Sequence, residues 1–513
     1  MDYTFKDYTF KNDKNKTTNL AGGVSFIQDK WNSLTRWLLV GSMSNSFYAS
    51  REEMTEGNLN ILKECIQEDP DRVGNLIVES SKKGVTAHTP IFSLVPLSVG
   101  DRKSKQVFKS IFPLVIRTAS HLYEFLEYVK KFRGYGHVIQ KAVKDWLEQK
   151  TPEELEYQFL KYKKRYNWSG RDVLRKIKPT TSNLLKNSIY AWMTRKNSLV
   201  PSYLSRISAF EYLKNSKGLS QDEIVSLIRE SNLTHEMIPG NIQKTPEIWN
   251  AIYQNMPIQA TIRNIRNLLN QGIFKNRENI EILKNRLSPD SLKSSYIHPI
   301  DLVKAYIVNR GNSNPPYGEE ISKILESAID SSFNCIEPTG LKFFIALDVS
   351  GSMKSKPDGI MTFISIGGIL SLTLIKSEKD CFVGGFSDFF TPLNISKETS
   401  FIDVIELDSD VWSNCDFGGT DASSAYMYAI RNKIYTDVFV FFTDSQNWMG
   451  DEPHKLLKTY RNMINKNVKA IYVTLAPYHD RTTLADPDDP LSYEVVGYTS
   501  QTTKLIQLLA KGV

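Results

Sequence analysis

The spacing of hydrophobic residues divides the chain into two parts near residue 340. From residue 26 to about residue 331, apolar side chains recur at helical spacing between short segments marked by proline. No strand pattern is evident there, so we predict an all-α array of paired, HEAT-like helices without a strict repeat. The clearest helical segments are 58–68, 123–131, 142–147, 222–229, 248–252, 262–269 and 280–287.

After residues 337–340 the pattern changes to strands that alternate with helices. Such alternation predicts an α/β doubly wound sheet with helices on both faces. The expected strands are 343–347, 381–386, 438–443 and 470–475, and the expected helices are 361–375, 422–431, 453–465 and 502–510. We therefore divide the chain into a disordered amino terminus (1–16), a helical domain (17–336) and an α/β domain (337–513).

Oxygen-bearing side chains follow the two most hydrophobic predicted strands, and another lies in a glycine-containing loop between them. The carboxyl ends of strands in an open α/β sheet are where ligands bind, and hard oxygen ligands favour Mg²⁺, Mn²⁺ or Ca²⁺. We expect a divalent cation here, with Mg²⁺ favoured. In the alternative interpretation, the serines only cap the next helix. The candidate ligands are Asp348, Ser350, Ser352, Thr420 and Asp444.

The order D-x-S-x-S, then Thr, then Asp resembles the metal-ion-dependent adhesion site of von Willebrand factor A domains. This resemblance implies that Ser350, Ser352 and Thr420 bind the cation directly. It implies that Asp348 and Asp444 hold it through water. It also implies an open coordination position that takes a carboxylate from a protein partner.

Positive charge is concentrated in one part of the predicted helical array. Residues 101–200 contain 22 Lys and Arg against 9 Asp and Glu, whereas residues 341–513 contain 16 against 21. A basic surface of this kind predicts a polyanionic partner. The segment 161–178, KYKKRYNWSGRDVLRKIK, holds eight cations against one carboxylate and interleaves three aromatic residues.

Cations that contact phosphates and aromatic rings that stack on unpaired bases suit RNA. In the alternative interpretation the cations form a solvated helix face and the aromatic residues belong to the core, and for Tyr162 and Trp168 we favour the core. A second cluster, 130–137, has glycines that allow a phosphate to approach the backbone. The candidate RNA-binding residues are Lys161, Lys164, Arg165, Arg171, Arg175, Lys176, Lys178, Lys131, Arg133 and His137.

From about residue 20 to its end, the chain resembles the Ro autoantigen ribonucleoproteins, which have a TROVE module of HEAT-like repeats followed by an A domain. The matching segments are KYKKRYNWSGRDVLRKIKP, IWNAIYQNMPIQATIRNIRNL, IHP, EPTGLKFFIALDVSGSM and VFVFFTDSQNW. The resemblance implies a helical ring that admits single-stranded 3′ ends of misfolded small RNAs. It also implies an outer patch for Y RNA that includes Lys161 and Arg165. The chain departs from the family at His137, where arginine is common, and lacks the histidine common just before the Lys-Pro pair.

We therefore expect a non-catalytic RNA-binding protein that acts in RNA quality control or degradation, with an exoribonuclease as a candidate further partner. The alternative is a metal-dependent protein-interaction scaffold that uses the A domain. The composition, 41% hydrophobic and 24% charged, is that of an ordinary globular protein, and the four cysteines lack metal-binding spacing. No nucleophile elbow or phosphate-binding glycine loop is evident. We expect a cytoplasmic monomer without a membrane segment.

Overall fold

The computed structural model describes residues 15–41, 51–83, 87–132, 134–195, 204–216, 218–295, 297–310, 317–333, 338–476, 478, 482–498 and 502–512. Its helical region begins with α1 (Lys30–Val40), α2 (Arg51–Glu68), α3 (Pro70–Lys83), α4 (His88–Val99), α5 (Arg102–Val115), α6 (Ala119–Phe132), α7 (His137–Gln149), α8 (Pro152–Lys161) and α9 (Gly170–Ile177). It continues with α10 (Leu184–Thr194), α11 (Ser205–Asn215), α12 (Gln221–Glu230), α13 (Pro246–Gln254), α14 (Ile258–Asn270), α15 (Arg277–Arg286), α16 (Pro289–Ser294), α17 (Pro299–Asn309) and α18 (Tyr317–Phe333). The predicted all-α array is confirmed for this region.

Local sequence explains where the helices at the basic segment begin and end. Helix α8 starts with a capping box, in which Thr151 and Glu154 each accept a hydrogen bond from the other's backbone N–H. Helix α9 starts in the same way with Ser169 and Asp172, and it ends at Lys178 in the left-handed conformation. The apolar face of α9 is buried, and of its cations Arg175 and Lys176 are exposed whereas Arg171 is partly buried. The buried residues of α9 are Gly170, Val173, Leu174 and Ile177.

The α/β domain has a six-stranded sheet, whose strands are β3 (Lys342–Asp348), β4 (Asp380–Phe386), β5 (Phe390–Pro392), β6 (Val438–Thr443), β7 (Lys469–Thr474) and β9 (Ser492–Val496). Their order in the sheet is β5-β4-β3-β6-β7-β9. Only β5 pairs antiparallel within this sheet. The helices are α19 (Phe363–Ser377), α20 (Phe401–Ile405), α21 (Ser423–Arg431), α22 (Pro453–Met463) and α23 (Thr502–Lys511). The predicted α/β fold with its four main strands is confirmed.

Alternate residues of the central strands pack on opposite faces of this sheet. Phe343 and Ile345 of β3 join the core formed with α19 and α23, whereas Phe344 and Ala346 join the core formed with α21 and α22. Both faces are therefore covered by helices, as in a doubly wound sheet.

The amino terminus contains strands that the sequence pattern did not reveal. Strands β1 (Lys16–Thr18) and β2 (Val24–Ile27) form a three-stranded sheet with β8 (Thr482–Thr483) of the α/β domain. The helical domain predicted over residues 17–336 therefore begins with two short strands that precede its first helix. The prediction of disorder over 1–16 is wrong at Lys16, and residues 1–14 lie outside the described residues. These strands are too short for a period-two pattern, and their partner is at the far end of the chain.

Both ends of the helical array contact the α/β domain. At one end α1 packs on β9, and Arg36 of α1 donates hydrogen bonds to the carbonyl oxygens of Tyr478 (2.7 Å) and Thr482 (3.2 Å). At the other end α17 and α18 pack on α19, and Lys304 forms a 2.6 Å ion pair with Asp358. The α/β domain therefore closes the array into a ring.

The apolar helix α19 is an internal element of the α/β domain. Every residue from Phe363 to Ile375 is buried, as expected for the uncharged stretch that the sequence shows there. Among the described residues, we find no helix with both the length and the apolar character needed to cross a bilayer.

Candidate functional site

The five predicted metal ligands meet at the carboxyl edge of the six-stranded sheet. Strand β3 ends at Asp348, the short turn after it carries Ser350 and Ser352, and Asp444 follows β6, which is the neighbour of β3. Thr420 lies in the loop before α21. All five side chains are at most 3% exposed, so any cation they held would be largely removed from bulk water.

A hydrogen-bond network holds these groups in place. Asp348 accepts bonds from the Ser350 N–H (3.0 Å) and from the Thr443 hydroxyl (2.6 Å). The hydroxyl oxygens of Ser350 and Ser352 are 3.2 Å apart. The N–H of Gly351 donates to the Gly418 carbonyl oxygen at 3.2 Å, which brings the Thr420 loop against the turn after β3. Thr443 therefore orients a predicted ligand, a role that sequence reasoning missed.

The chemistry of the site fits a hard divalent cation. Thr420 Oγ1 is buried, and no hydrogen-bond partner for it exists within the described part of the chain. Burial raises the pKa of Asp348 to about 6, despite the hydrogen bonds that it accepts. A cation at this point would satisfy the hydroxyl and favour the charged carboxylate. Three hydroxyls and two carboxylates suit Mg²⁺, and the described residues contain no metal-binding cluster of three or more His, Cys, Asp or Glu.

The two glycines before Thr420 permit close packing of its loop. A Cβ added at Gly419 would lie 2.2 Å from Met449 Sδ and 2.7 Å from Asp388 Oδ1. The N–H of Gly419 donates to the same Asp388 oxygen at 2.5 Å. Asp388 is therefore a second residue that positions the site, and the sequence pattern gave no signal for it.

The amino-terminal strand pair contacts the loop that follows Asp444. Asn19 Nδ2 donates to the Asn447 carbonyl oxygen at 2.7 Å, and the Ala21 N–H donates to Gln446 Oε1 at 3.2 Å. At Gly23 a Cβ would lie only 1.8 Å from the Asn447 carbonyl oxygen. Sequence reasoning could not find this contact because more than four hundred positions separate its two sides.

The basic segment folds into a tight turn between α8 and α9. The backbones of Arg165 and Trp168 exchange two hydrogen bonds of 2.9 and 2.8 Å, and Tyr166 and Asn167 adopt positive φ angles between them. The Trp168 ring is buried, and its Nε1 donates to Glu127 at 3.2 Å. Tyr162 is partly buried against the same core. The core interpretation of these two aromatic residues is confirmed.

The structure brings the two predicted basic clusters together around Tyr135. The Tyr135 ring lies edge-on to Trp168 at 5.6 Å, and the Lys176 ammonium lies 4.7 Å from the Tyr135 ring centre. Seven of the predicted RNA-binding residues in these two clusters, six Lys or Arg and one His, have exposed side chains, and we call them the basic surface. They are Lys131, His137, Lys164, Arg165, Arg175, Lys176 and Lys178.

Two of the other predicted RNA-binding cations have partners inside the protein. The Lys161 ammonium donates to the Tyr157 hydroxyl at 2.8 Å and lies 5.1 Å from the centre of that ring. Arg171 Nε donates to the Met193 carbonyl oxygen at 3.1 Å. Both side chains are partly buried, so they are less available than the basic surface. Arg133 lies outside the described residues.

Comparisons with known proteins agree with this architecture. A TROVE domain model matches residues 17–217 and 228–316, and a Ro60 vWA domain model matches residues 342–510. A Deinococcus radiodurans protein named RNA-binding protein RO60 is 26% identical over 98% of this chain and 96% of its own length. A Caenorhabditis elegans protein of the same name is 24% identical over 96% of this chain and 90% of its own length.

A solved structure shares the fold over almost the whole chain. The crystal structure of the Deinococcus radiodurans RO (RSR) protein has a TM-score of 0.70 and 25% identity. The match covers 94% of this chain and all of that chain. The two family models match consecutive parts of the chain, and the solved structure shares its fold. These matches confirm the resemblance that the sequence motifs indicated. The chain belongs to the Ro family of TROVE proteins, with a Ro60-type von Willebrand factor A domain after the TROVE domain.

Proposed function

We propose that this protein binds RNA as a non-catalytic Ro-type protein. The observation that carries this proposal is the basic surface, where six Lys and Arg side chains and His137 are exposed in the two clusters that meet at Tyr135. Nearby carboxylates are engaged: Glu127 accepts from Trp168, and Asp172 accepts from Ser169 in the capping box. Exposed cations with few opposing carboxylates favour phosphate binding. The two relatives compared above are both named RNA-binding proteins.

Within this function, we assign different RNA features to different parts of the molecule. The basic surface would bind Y RNA or a Y-like small RNA. The ring would admit single-stranded 3′ ends of misfolded noncoding RNAs, because the α/β domain closes the array through contacts at both of its ends. Such a protein would present RNAs for quality control or for degradation by an exoribonuclease.

The A domain would bind Mg²⁺ and a carboxylate from a protein partner. The buried Thr420 hydroxyl, for which the described residues provide no hydrogen-bond partner, supports the cation. A scaffold that engages proteins through this cation is the second candidate function. It requires no basic surface, so RNA affinity distinguishes it from the first.

The test is filter binding of the full chain to a structured RNA with a single-stranded tail, measured across a range of salt concentrations. We expect specific binding whose affinity falls steeply with salt, since counterion release accompanies phosphate contacts. Absence of binding at low salt would contradict the RNA function and leave the scaffold.

A further inference from the structure

A pocket of about 330 Å³ opens between helices α14 and α17, beside the turn of the α/β domain that precedes α19. Its volume is at the lower end of the range for sites that bind small ligands. Residues of both domains line it, and none of them is a predicted metal ligand or a predicted RNA-binding residue. Those that matter here are Ile262, Arg263, Arg266, Asp301, Asn309 and Ile360.

Three charged groups in this pocket have no partner in the described part of the chain. Arg263 and Arg266, three residues apart on α14, form no ion pair or hydrogen bond with a described residue. Asp301, in the first turn of α17, lies within electrostatic range of Arg263, yet the two side chains form no ion pair. The pocket also contains Lys304, but Lys304 is paired with Asp358. A ligand that carries both a carboxylate and an ammonium group can therefore form charge-assisted hydrogen bonds with both kinds of group.

Asn309, near the end of α17, provides a further polar atom that lacks a partner. Its side chain is 5% exposed, and its Nδ2 donates to the Ala305 carbonyl oxygen at 2.6 Å. Its Oδ1 is buried and has no hydrogen-bond partner among the described residues. Buried polar atoms are almost always hydrogen-bonded, so this oxygen indicates a donor that comes from a ligand in the pocket.

The spacing of Asp301 and Asn309 limits the length of such a ligand. The two residues are eight positions apart on α17, which corresponds to about 12 Å along the helix axis. Two hydrogen bonds of about 3 Å leave roughly 6 Å between the two donors of a ligand that reaches both residues. The α-amino nitrogen and the indole nitrogen of tryptophan have a separation of this order.

The wall of the pocket between these polar groups is apolar. Ile262 and Ala305 line it from the helical domain, and Ile360 lines it from the α/β domain. The Ile360 N–H donates to Asp358 at 3.0 Å, so the carboxylate that pairs with Lys304 also holds Ile360 in place. An apolar ring placed against this wall is removed from water, which favours binding. None of the described lining residues is aromatic, so the pocket offers no ring on which an RNA base could stack.

We propose that this pocket binds a free aromatic α-amino acid that carries a hydrogen-bond donor on its ring, with tryptophan as the best match. The carboxylate of the ligand lies at Arg263 and Arg266, and its ammonium group lies at Asp301. Its ring packs on the apolar wall and donates to Asn309 Oδ1. This site is independent of the RNA-binding function proposed above. Because both domains line the pocket, the bound ligand strengthens the contact that closes the ring.

The experiment compares L-tryptophan with three analogues that each lack one of the proposed contacts. Tryptamine lacks the carboxylate, indole-3-propionate lacks the amino group and 1-methyltryptophan lacks the indole N–H. Calorimetry on the full chain should show one tryptophan bound, and tryptophan should raise the melting temperature. Tryptamine and indole-3-propionate should bind about tenfold more weakly, because each loses hydrogen bonds between charged groups. 1-Methyltryptophan should bind about fivefold more weakly, because it loses a neutral one.

Three variants should each remove one of these preferences. Arg263→Ala/Arg266→Ala should bind tryptophan and tryptamine equally, because the carboxylate no longer has a partner. Asp301→Asn should bind tryptophan and indole-3-propionate equally, and Asn309→Leu should bind tryptophan and 1-methyltryptophan equally. Melting curves without ligand establish which variants are folded. Arg263, Arg266 and Asp301 are exposed, so their variants test the pocket even if Asn309→Leu unfolds.

Matched controls separate the outcomes. Lys284→Ala/Lys293→Ala removes two exposed cations of α15 and α16, and Asp290→Asn changes a carboxylate in the first turn of α16, as Asp301→Asn does in α17. Both controls should keep all three preferences. A wild-type chain that shows no response to tryptophan at millimolar concentrations would overturn the proposal, as would preferences that persist in the Arg263→Ala/Arg266→Ala and Asp301→Asn chains. If AMP binds more tightly than tryptophan and its binding depends on Arg263 and Arg266, the pocket is a nucleotide site and the proposal is wrong.

Discussion

Asn19, at the amino terminus, donates a 2.7 Å hydrogen bond from Nδ2 to the backbone carbonyl oxygen of Asn447, three residues after the predicted metal ligand Asp444. Asn19 is buried, and its Oδ1 also accepts a bond from the Gly23 N–H at 2.9 Å. One side chain thus shapes the turn between β1 and β2 and ties it to the loop after β6. The start of the chain is therefore part of the structure that supports the candidate metal site.

Replacing Asn19 should disturb both stability and the metal loop. Asn19→Ala leaves the buried Asn447 carbonyl oxygen without this donor, at a cost of about 1–3 kcal/mol in the free energy of unfolding. We also expect weaker Mg²⁺ binding, measured by calorimetry, because the Asp444 loop loses a support. Asn432→Ala is the control, since Asn432 makes a comparable bond to the Tyr428 carbonyl oxygen on the exposed side of α21. If Asn19→Ala and Asn432→Ala had equal effects on the free energy of unfolding and on Mg²⁺ binding, a specific link between Asn19 and the Asp444 loop would be contradicted.

Removing two hydroxyls should abolish cation binding without unfolding the domain. Ser350→Ala/Thr420→Ala deletes two predicted ligands at the edge of an already packed sheet. Mg²⁺ should raise the melting temperature of the wild-type protein, because a ligand that binds only the folded state stabilises it, and should leave that of the variant unchanged. The matched control is Ser413→Ala/Thr459→Ala, at exposed positions of the same domain. If the wild-type protein itself shows no response to Mg²⁺, the metal assignment is wrong.

The basic surface should account for the salt dependence of RNA binding. Arg165→Ala/Lys176→Ala removes two exposed cations, which should weaken binding and reduce the salt slope of log K by about 2. Filter binding across salt concentrations measures both quantities, with Lys284→Ala/Lys293→Ala as the control of equal charge change. EDTA should alter the RNA affinity of the wild-type chain less than tenfold, since the candidate metal site lies in the other domain. An equal loss of RNA affinity in Arg165→Ala/Lys176→Ala and in the control Lys284→Ala/Lys293→Ala would indicate a non-specific effect of net charge.

Histidine 298 should make unfolding depend on pH. Burial, with a smaller effect of Lys304, lowers the pKa of His298 to about 4, and its Nδ1 caps α17 by accepting from the Ile300 N–H at 3.2 Å. Between pH 6.5 and 4 the unfolded state therefore binds a proton that the folded state does not. The free energy of unfolding should fall by roughly 3 kcal/mol across this range from this group alone.

The substitution His298→Asn isolates that contribution. Asparagine keeps a side-chain acceptor at the start of the helix but does not titrate. Denaturant unfolding at several pH values should show a shallower acid dependence for the variant than for the wild-type chain. If the free energy of unfolding changed equally with pH in the variant and in the wild-type chain, His298 would be accessible to protons in the folded protein.

The features that can be predicted from the sequence are those encoded by residues that are close together along the chain. The sequence predicts strand β6 at its observed bounds because five consecutive apolar residues, followed by Thr443, suit a buried parallel strand. The candidate metal ligands are predicted for the same reason, since each follows a recognisable strand or glycine pair, and their binding of a cation stays a prediction. Strands β1, β2 and β8 have two to four residues each and lack a pattern of their own. Their pairing depends on contacts between the two ends of the chain.

The inward orientation of Lys161 and Arg171 was also hidden from the sequence. Both belong to a run of cations that charge counting treats as one group. In the structure the turn after α8 and the start of α9 direct them toward Tyr157 and the Met193 carbonyl oxygen. Residue type gives the charge of a segment, but tertiary contacts decide which of its cations remain available to a ligand.

The pairing of the two chain ends has a consequence for biosynthesis. Asn19 and Asn447 are 428 positions apart, so a ribosome adding about 5–20 residues per second needs roughly 20–90 s between them. During this time β2 has no strand β8 to pair with, and its free edge is open to pairing with other chains. Closure of the ring must therefore be a late event in folding. A chain truncated before Thr482 would leave its own first strands permanently without that partner.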